Sequence, residues 1–320
     1  MKIIAIESLS LTSEKLEYIS SALFAAGHEF VHYNDKVLNQ TILAERAKNA
    51  EIIITVTSPI SEQFVLACPD LKLIAVAFTG YEHIDIAACR KKGIEVCNVP
   101  AYSVHAVSEM VIGLAVSLLR KFKPMEMHLR NGKDKGAFLG SELFGKTIGI
   151  IGTGNIGMAT ANLFRAFGCK IIAHSRSERK EAIDAGIRYV SLETLLSHSD
   201  IVSIHTPLNE TTSHLIGSNE IALMKPTAIL INAARGSIVD YGAVANALNK
   251  NLLGGAGIDV YESEPPIAAN HALMGCPNIM LLPHIGYATK EAIEKRANVS
   301  LQNILQWIAG TPENIVSSID

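Results

Sequence analysis

Thr147-Ile148-Gly149-Ile150-Ile151-Gly152-Thr153-Gly154-Asn155-Ile156-Gly157 runs from an apolar strand candidate into three glycines spaced G-x-G-x-x-G, and MATANLFRAFG (158–168) continues with helical character. A lone glycine pattern is a weak signal. Between a strand and a helix it supplies a tight turn, a close backbone approach to a pyrophosphate, and helix-on-sheet packing that leaves N–H groups for an anion. Gly152, Gly154 and Gly157 therefore predict a wound parallel sheet with a dinucleotide site.

Working outward, CKIIAHS (169–175), IRYV (187–190), IVSIHTP (201–207), AILINAA (228–234), GAGIDVY (255–261) and NIMLLPH (278–284) are further strand candidates separated by helices or turns. Most are continuous apolar runs, as strands covered on both faces by helices should be. Upstream, KIIAIE (2–7), EFVHYN (29–34), EIIITVT (51–57), LKLIAVAF (71–78) and IEVCNVP (94–100) repeat the alternation, with EKLEYISSALFAAG (14–27) a helix closed by Gly27. VHAVSEMVIGLAVSLLRKF (104–122) reads as one long apolar helix, and the polar NGKDKGAFLG (131–140) after it is a place for a domain boundary. TKEAIEKRANVSLQNILQWIAG (289–310) is a helix with apolar spacing at Ile293, Ala297, Leu301, Ile304 and Ile308, expected to pack back on the first domain.

The chain's 320 residues suit two domains, and 48% hydrophobic against 18% charged residues excludes long disorder. A net charge of -3 without a basic block argues against nucleic acid as a partner. Five cysteines, Cys68, Cys89, Cys97, Cys169 and Cys276, lack C-x-x-C spacing and read as small core residues in a reducing compartment. The start MKIIAIESLS is unlike a signal peptide, and no apolar run is long enough for a membrane span, so a cytoplasmic location without membrane contact is expected.

His28-Glu29-Phe30-Val31-His32 matches the zinc motif H-E-x-x-H, which works only where both histidines share a helix face. Gly27 stops the preceding helix and β-prone residues follow; on a strand the imidazoles would stand roughly 13 Å apart, so no metal is expected. After the second strand of the fingerprint unit, Ser175 stands where an acid would hold the ribose 2′-OH of NAD. Arg176, flanked by Ser175 and Ser177, suits a 2′-phosphate instead, which favours NADP(H) over NAD(H).

Arg235, Glu264 and His284 each follow a strand candidate, at the sheet edge where ligands bind. Hydride transfer to a 2-keto acid needs a cation for the carboxylate and carbonyl oxygen, an acid for the developing alkoxide, and a partner that keeps this acid protonated. Arg, His and Glu match those needs. Asn232-Ala233-Ala234-Arg235-Gly236, Gly257-Ile258-Asp259-Val260-Tyr261-Glu262-Ser263-Glu264-Pro265 and Pro283-His284-Ile285-Gly286 resemble signatures of the D-isomer-specific 2-hydroxyacid dehydrogenases. So do Phe78-Thr79-Gly80 with His83-Ile84-Asp85, Cys97-Asn98-Val99-Pro100, Ser103 to Glu109 and His205-Thr206-Pro207-Leu208.

The resemblance implies two doubly wound α/β domains: a discontinuous, flavodoxin-like substrate domain (1–99 plus 287–320) and a Rossmann domain (100–286), with catalysis in the cleft between them. Carried over by position, Arg235 binds and polarises the substrate, His284 donates the proton in reduction, and Glu264 hydrogen-bonds the imidazole. Thr79 and Gly80 hold the substrate carboxylate through backbone N–H groups; Asp259 takes the nicotinamide carboxamide; Asn155, Ile156, Thr206 and the backbone near Ala233 line the cofactor. A homodimer joined through the cofactor domains is also implied. The missing acid at Ser175 resembles the NADPH-dependent glyoxylate and hydroxypyruvate reductases. The loop Thr55-Val56-Thr57-Ser58-Pro59-Ile60 has no Arg or Lys, which weakens a phosphorylated substrate such as 3-phosphoglycerate. Alternatives are a dinucleotide-sensing protein resembling the corepressors of this family, and a 3-phosphoglycerate, phosphite or formate dehydrogenase.

Overall fold

The strand candidates form two separate parallel sheets in the computed structural model, which describes residues 1–317. The chain divides into two units, one of Met1–Ser103 together with the chain from Ala288, the other Val104–Tyr287.

In the first unit β1 (Lys2–Ala5), α1 (Ser13–Ala25), β2 (Glu29–His32), α2 (Gln40–Arg46), β3 (Ile52–Thr55), α3 (Glu62–Ala67), β4 (Leu73–Val76), α4 (Ile86–Lys92) and β5 (Glu95–Cys97) alternate. The sheet order is β2-β1-β3-β4-β5. Its central strands are solid aliphatic: Ile3, Ile4, Ile52, Ile53, Ile54, Leu73, Ile74 and Val76 are all buried, each side chain contributing roughly 1.5–3 kcal/mol by leaving water. Helices begin on side chains that accept an otherwise unpaired N–H, including Thr12, Asn39, Ser61 and Asp85. Glu29–His32 of the H-E-x-x-H segment form β2 and His28 precedes that strand, so its histidines do not share a helix face.

The second unit runs α5 (Val104–Leu119), α6 (Phe122–Arg130), β6 (Thr147–Ile151), α7 (Asn155–Ala166), β7 (Lys170–His174), α8 (Lys180–Asp184), β8 (Arg188–Tyr189), α9 (Leu192–His198), β9 (Ile201–Ile204), α10 (Ser218–Leu223), β10 (Ile229–Asn232), α11 (Tyr241–Asn249), β11 (Gly255–Ile258) and β12 (Ile279–Leu281). Its sheet order is β12-β11-β10-β9-β6-β7-β8. Successive residues supply two cores, Ile229 and Ile231 on one face and Leu230 on the other, the period of two that a doubly covered strand requires. The last helix, α12 (Lys290–Ile308), packs on α1 and β4 of the first unit.

Three expectations are corrected. No unit boundary falls at 131–140: α5 and the segment after it stay in the second unit, because Val107, Val111, Leu114 and Ala115 are part of its core. The stretch 104–122 is not one helix, since Lys121 takes a left-handed φ of 48° and α6 starts afresh with Pro124 in its first turn. Cys276 is only half-buried, whereas burial pushes the Cys68 and Cys89 thiols up to about 11 and Cys97 to about 12. On α12, Ile293 and Ile308 are half-buried while Arg296, Ser300 and Asn303 are buried. Two of these polar residues reach loop carbonyls: Arg296 Nη2 donates to Leu9 O (3.1 Å) and Asn303 Nδ2 to Asn98 O (2.8 Å).

Candidate active site

In the second sheet the order of strands reverses between β6 and β9, so ligands are expected at the carboxyl ends there. The fingerprint lies at that point. Gly152 has φ +93°, and a Cβ on it would meet the backbone of His205 and Thr206 at 2.8 Å. Only glycine meets both demands. At Gly157 a Cβ would come within 2.0 Å of Gly152 O, so its absence lets α7 press onto the turn. Gly154 differs: its φ is -68° and an added Cβ would meet no heavy atom within 4 Å. α7 starts there with no side-chain cap, so the amides at Asn155 and Ile156 open the helix at the positive end of its dipole. This cradle, with one glycine fitted to the turn, one to the helix and one facing open space, suits a dinucleotide's pyrophosphate.

The β6–β7 register sets His174 opposite Ile151, and Gly152 N–H donates to His174 O (2.8 Å), which brings Ser175, Arg176 and Ser177 beside the fingerprint. Arg176 and Ser177 are exposed, and no acid stands among the three. A residue absent from the sequence reading ties these loops together: Tyr189 Oη donates to Thr153 Oγ1 (2.8 Å) and accepts from Arg179 N–H (3.0 Å). Its only earlier sign is its place in the short strand IRYV. After β9, His205 Nε2 lies 2.8 Å from Ser203 Oγ, and burial lowers its pKa to about 4, leaving a neutral ring next to Thr206.

Arg235 follows β10 on a turn braced by Asn232, which is fully buried. Asn232 Oδ1 accepts from Ala234 N–H (3.1 Å), and Nδ2 donates to Arg235 O (2.9 Å) and Tyr241 Oη (3.0 Å). Arg235 Nη1 donates to Ala234 O (2.8 Å). Ala233 is half-buried on the same turn. Gly236 seals it against the next loop, since a Cβ there would strike Tyr261 at 1.9 Å.

His284 follows β12 with φ 57°, a left-handed conformation uncommon outside glycine. Its Nδ1 lies 2.9 and 2.8 Å from the two Glu264 oxygens. An ionised carboxylate only accepts, so Nδ1 carries the hydrogen and Nε2 is the nitrogen turned to other work. The Tyr287 ring meets the imidazole edge-on at 5.5 Å between centroids. Asp259, after β11 and 1% exposed, takes Ile285 N–H on Oδ1 and Gly286 N–H on Oδ2, both at 2.8 Å. It thereby anchors the chain just past His284, a role no motif announced. Burial outweighs those two bonds and raises its pKa.

The structure thus brings Gly152–Gly157, Ser175–Ser177, Thr206, Ala233, Arg235, Asp259, Glu264 and His284 to one edge of the second sheet, each after a strand's carboxyl end. Thr79 and Gly80 belong to the first unit and follow β4, where Thr79 Oγ1 donates to Val99 O (2.9 Å) and Thr79 O accepts from Asn98 Nδ2 (2.7 Å).

Comparison with known proteins agrees with this arrangement. Residues 112–286 match the family model for the NAD binding domain of D-isomer specific 2-hydroxyacid dehydrogenases. A glyoxylate reductase of Thermococcus litoralis is 39% identical over 287 residues, 86% of each chain. A glycerate dehydrogenase of Methylorubrum extorquens is 36% identical over 91% of this chain and 93% of its own. Among solved structures, an acyclic imino acid reductase in complex with NADPH and D-Arg superimposes with a TM-score of 0.88 at 30% identity, covering 99% of this chain and 100% of that one. The chain therefore belongs to the D-isomer specific 2-hydroxyacid dehydrogenase family and carries that family's nicotinamide dinucleotide-binding domain.

Proposed function

We propose that this protein reduces a small 2-keto acid of the glyoxylate and hydroxypyruvate class to the D-2-hydroxy acid, with NADPH preferred over NADH. The carrying observation is the pair of contacts from His284 Nδ1 to the two Glu264 oxygens, which orients the imidazole. When bound, the reduced nicotinamide supplies a hydride to the carbonyl carbon. Gly152, Gly154, Asn155, Ile156 and Gly157 would hold the pyrophosphate, Ser175, Arg176 and Ser177 the adenosine phosphate, and Thr206, Ala233 and Asp259 the nicotinamide end.

Arg235 pairs with the substrate carboxylate and polarises the carbonyl, stabilising negative charge as it grows on oxygen. His284 gives that oxygen a proton from Nε2, so the product leaves as a neutral alcohol beside its carboxylate and the imidazole is reprotonated from water. The amides of Thr79 and Gly80 are the proposed holders of the carboxylate in the first unit. NADPH preference rests on Ser175 standing where an acid would repel a 2′-phosphate, with Arg176 beside it, and the NADPH-bound relative supports it.

The protein is proposed to act as a homodimer. Phe122, Met127 and Leu129 on α6, with Leu139 and Phe144 after it, leave half or more of their area exposed in the second unit, a large apolar surface for a monomer. No helix among the described residues is long and apolar enough to cross a membrane. A cytoplasmic site of action is proposed, where free thiols stay reduced.

The test follows oxidation of NADPH and NADH in turn against glyoxylate, hydroxypyruvate, pyruvate, 2-ketobutyrate and 2-ketoisocaproate, with sedimentation for the dimer. Fast turnover of one acid, better with NADPH, is the expected result. Silence across the panel despite dinucleotide binding would overturn the reductase reading in favour of a dinucleotide sensor or a phosphite or formate dehydrogenase. A tenfold advantage for NADH, on the scale of about 1.4 kcal/mol, would overturn the cofactor preference.

A further inference from the structure

The first sheet has a reversal point of its own. In the order β2-β1-β3-β4-β5 it falls between β1 and β3, where an open α/β sheet receives a ligand. The chain puts a side chain of its own there. Glu7, two residues past β1, is 3% exposed. Its Oε1 accepts from the backbone N–H of Val56 (2.7 Å), Thr57 (3.0 Å) and Ser58 (2.7 Å), and from Thr55 Oγ1 (2.8 Å). Successive N–H groups turned on one point form the concave nest that elsewhere binds an external anion. Burial alone would push the Glu7 carboxyl up, but these four bonds prevail and hold it below the usual carboxylate range, so the occupant is charged.

The far side of the same loop is also braced. Ser58 Oγ donates to Val37 O (3.1 Å), Gln40 Nε2 donates to Pro59 O (2.8 Å), and Gln40 Oε1 accepts from Ser61 Oγ (2.7 Å). The near side leads to the proposed carboxylate-binding segment: β3 pairs with β4, and Ala77 N–H donates to Thr55 O (2.7 Å), two residues before Thr79.

We infer that Glu7 is the resident anion of this nest and a positioning residue for the keto acid, holding loop 55–58 in register with Thr79 and Gly80; this rests on the reductase reading above. Glu7 does not touch the reacting atoms. It acts through the loop, and its charge is the part that matters, since four donors converge on one oxygen.

Glu7→Ala and Glu7→Gln test this, with formate as the probe small enough to replace the lost carboxylate. In Glu7→Ala the KM for the keto acid should rise about tenfold, the KM for NADPH should stay within about twofold, and added formate should bring the first value back. Formate should also raise the Tm of Glu7→Ala by about 2 °C or more, and leave wild type and Glu7→Gln unmoved. An unchanged keto acid KM in Glu7→Ala, or a Tm indifferent to formate, would overturn the inference. A loss spread equally over both KM values without rescue would reduce Glu7 to a fold-supporting residue. Should Glu7→Ala not fold, Glu7→Gln decides: its amide keeps an acceptor but no charge, so a wild-type keto acid KM there sinks the idea. The thermal arm needs no substrate, so a protein inert on every keto acid still answers whether Glu7 fills the nest, and failure of the reductase reading is told apart from failure of this one.

Discussion

The two sheets treat their reversal points in opposite ways. Between β1 and β3 the convergent N–H groups close on a buried carboxylate from the chain itself, while between β6 and β9 three glycines keep side chains out and α7 opens without a side-chain cap. The same physics operates at both: amides pointing one way beyond parallel strands favour negative charge. Supplying that charge internally makes a rigid loop. Withholding it makes a site for a ligand.

The strongest way to break this contrast is to remove the cation that follows β10 in the second unit. Arg235→Ala should cut kcat/KM by roughly 10²–10³-fold, while dinucleotide affinity, read by quenching of protein fluorescence, stays unchanged. A parallel loss of dinucleotide binding would assign Arg235 to the cradle. The glycines themselves should separate next. Gly157→Ala forces a methyl to within 2.0 Å of Gly152 O and should cost about 1–3 kcal/mol of stability. Gly154→Ala should leave stability within about 0.5 kcal/mol yet raise the dinucleotide KM about tenfold, because the methyl projects where a phosphate would approach. Equal thermal losses in both variants would deny Gly154 its ligand role.

Glu264→Gln should lower kcat roughly tenfold, since the amide replaces one of the two carboxylate oxygens that hold His284 Nδ1 in place. A kcat equal to that of wild type would remove Glu264 from the mechanism. The smallest effect concerns acid stability at the two reversal points. His205 is held neutral, its folded pKa of about 4 lying below the ordinary 6.5, so the unfolded chain binds the extra proton and stability is lost as pH falls from 6.5 toward 4. Glu7 is also depressed, from 4.5, so its contribution is intact above that value and goes only as pH falls through the lower folded value. Hydrogen exchange, corrected for intrinsic rates, should show amides of β9 loosening at pH 5 while those of Val56 to Ser58 stay protected. The reverse order would contradict the assignment of charge at both edges.

Much of this is legible in the amino-acid sequence. Solid aliphatic runs such as IIIT and LIAV announced buried parallel strands, and Gly152, Gly154 and Gly157 announced the cradle, because both signals are local in the chain. The split at Lys121 was not, since a left-handed residue inside an apolar stretch leaves no mark in periodicity. Nor were Tyr189 on Thr153 or Asp259 on Ile285, whose partners lie 36 and 26 residues off.

The amino-acid sequence by itself determined the α/β class, the dinucleotide cradle and the Arg, Glu and His that follow strands of the second sheet. Only the tertiary structure decided that Glu264 meets His284 through both oxygens, and that Glu7 answers amides 49 to 51 residues away. The reason is physical: apolar period and turn chemistry are written residue by residue, whereas the partner of a buried charge is chosen by strand order, which brings distant loops to one edge.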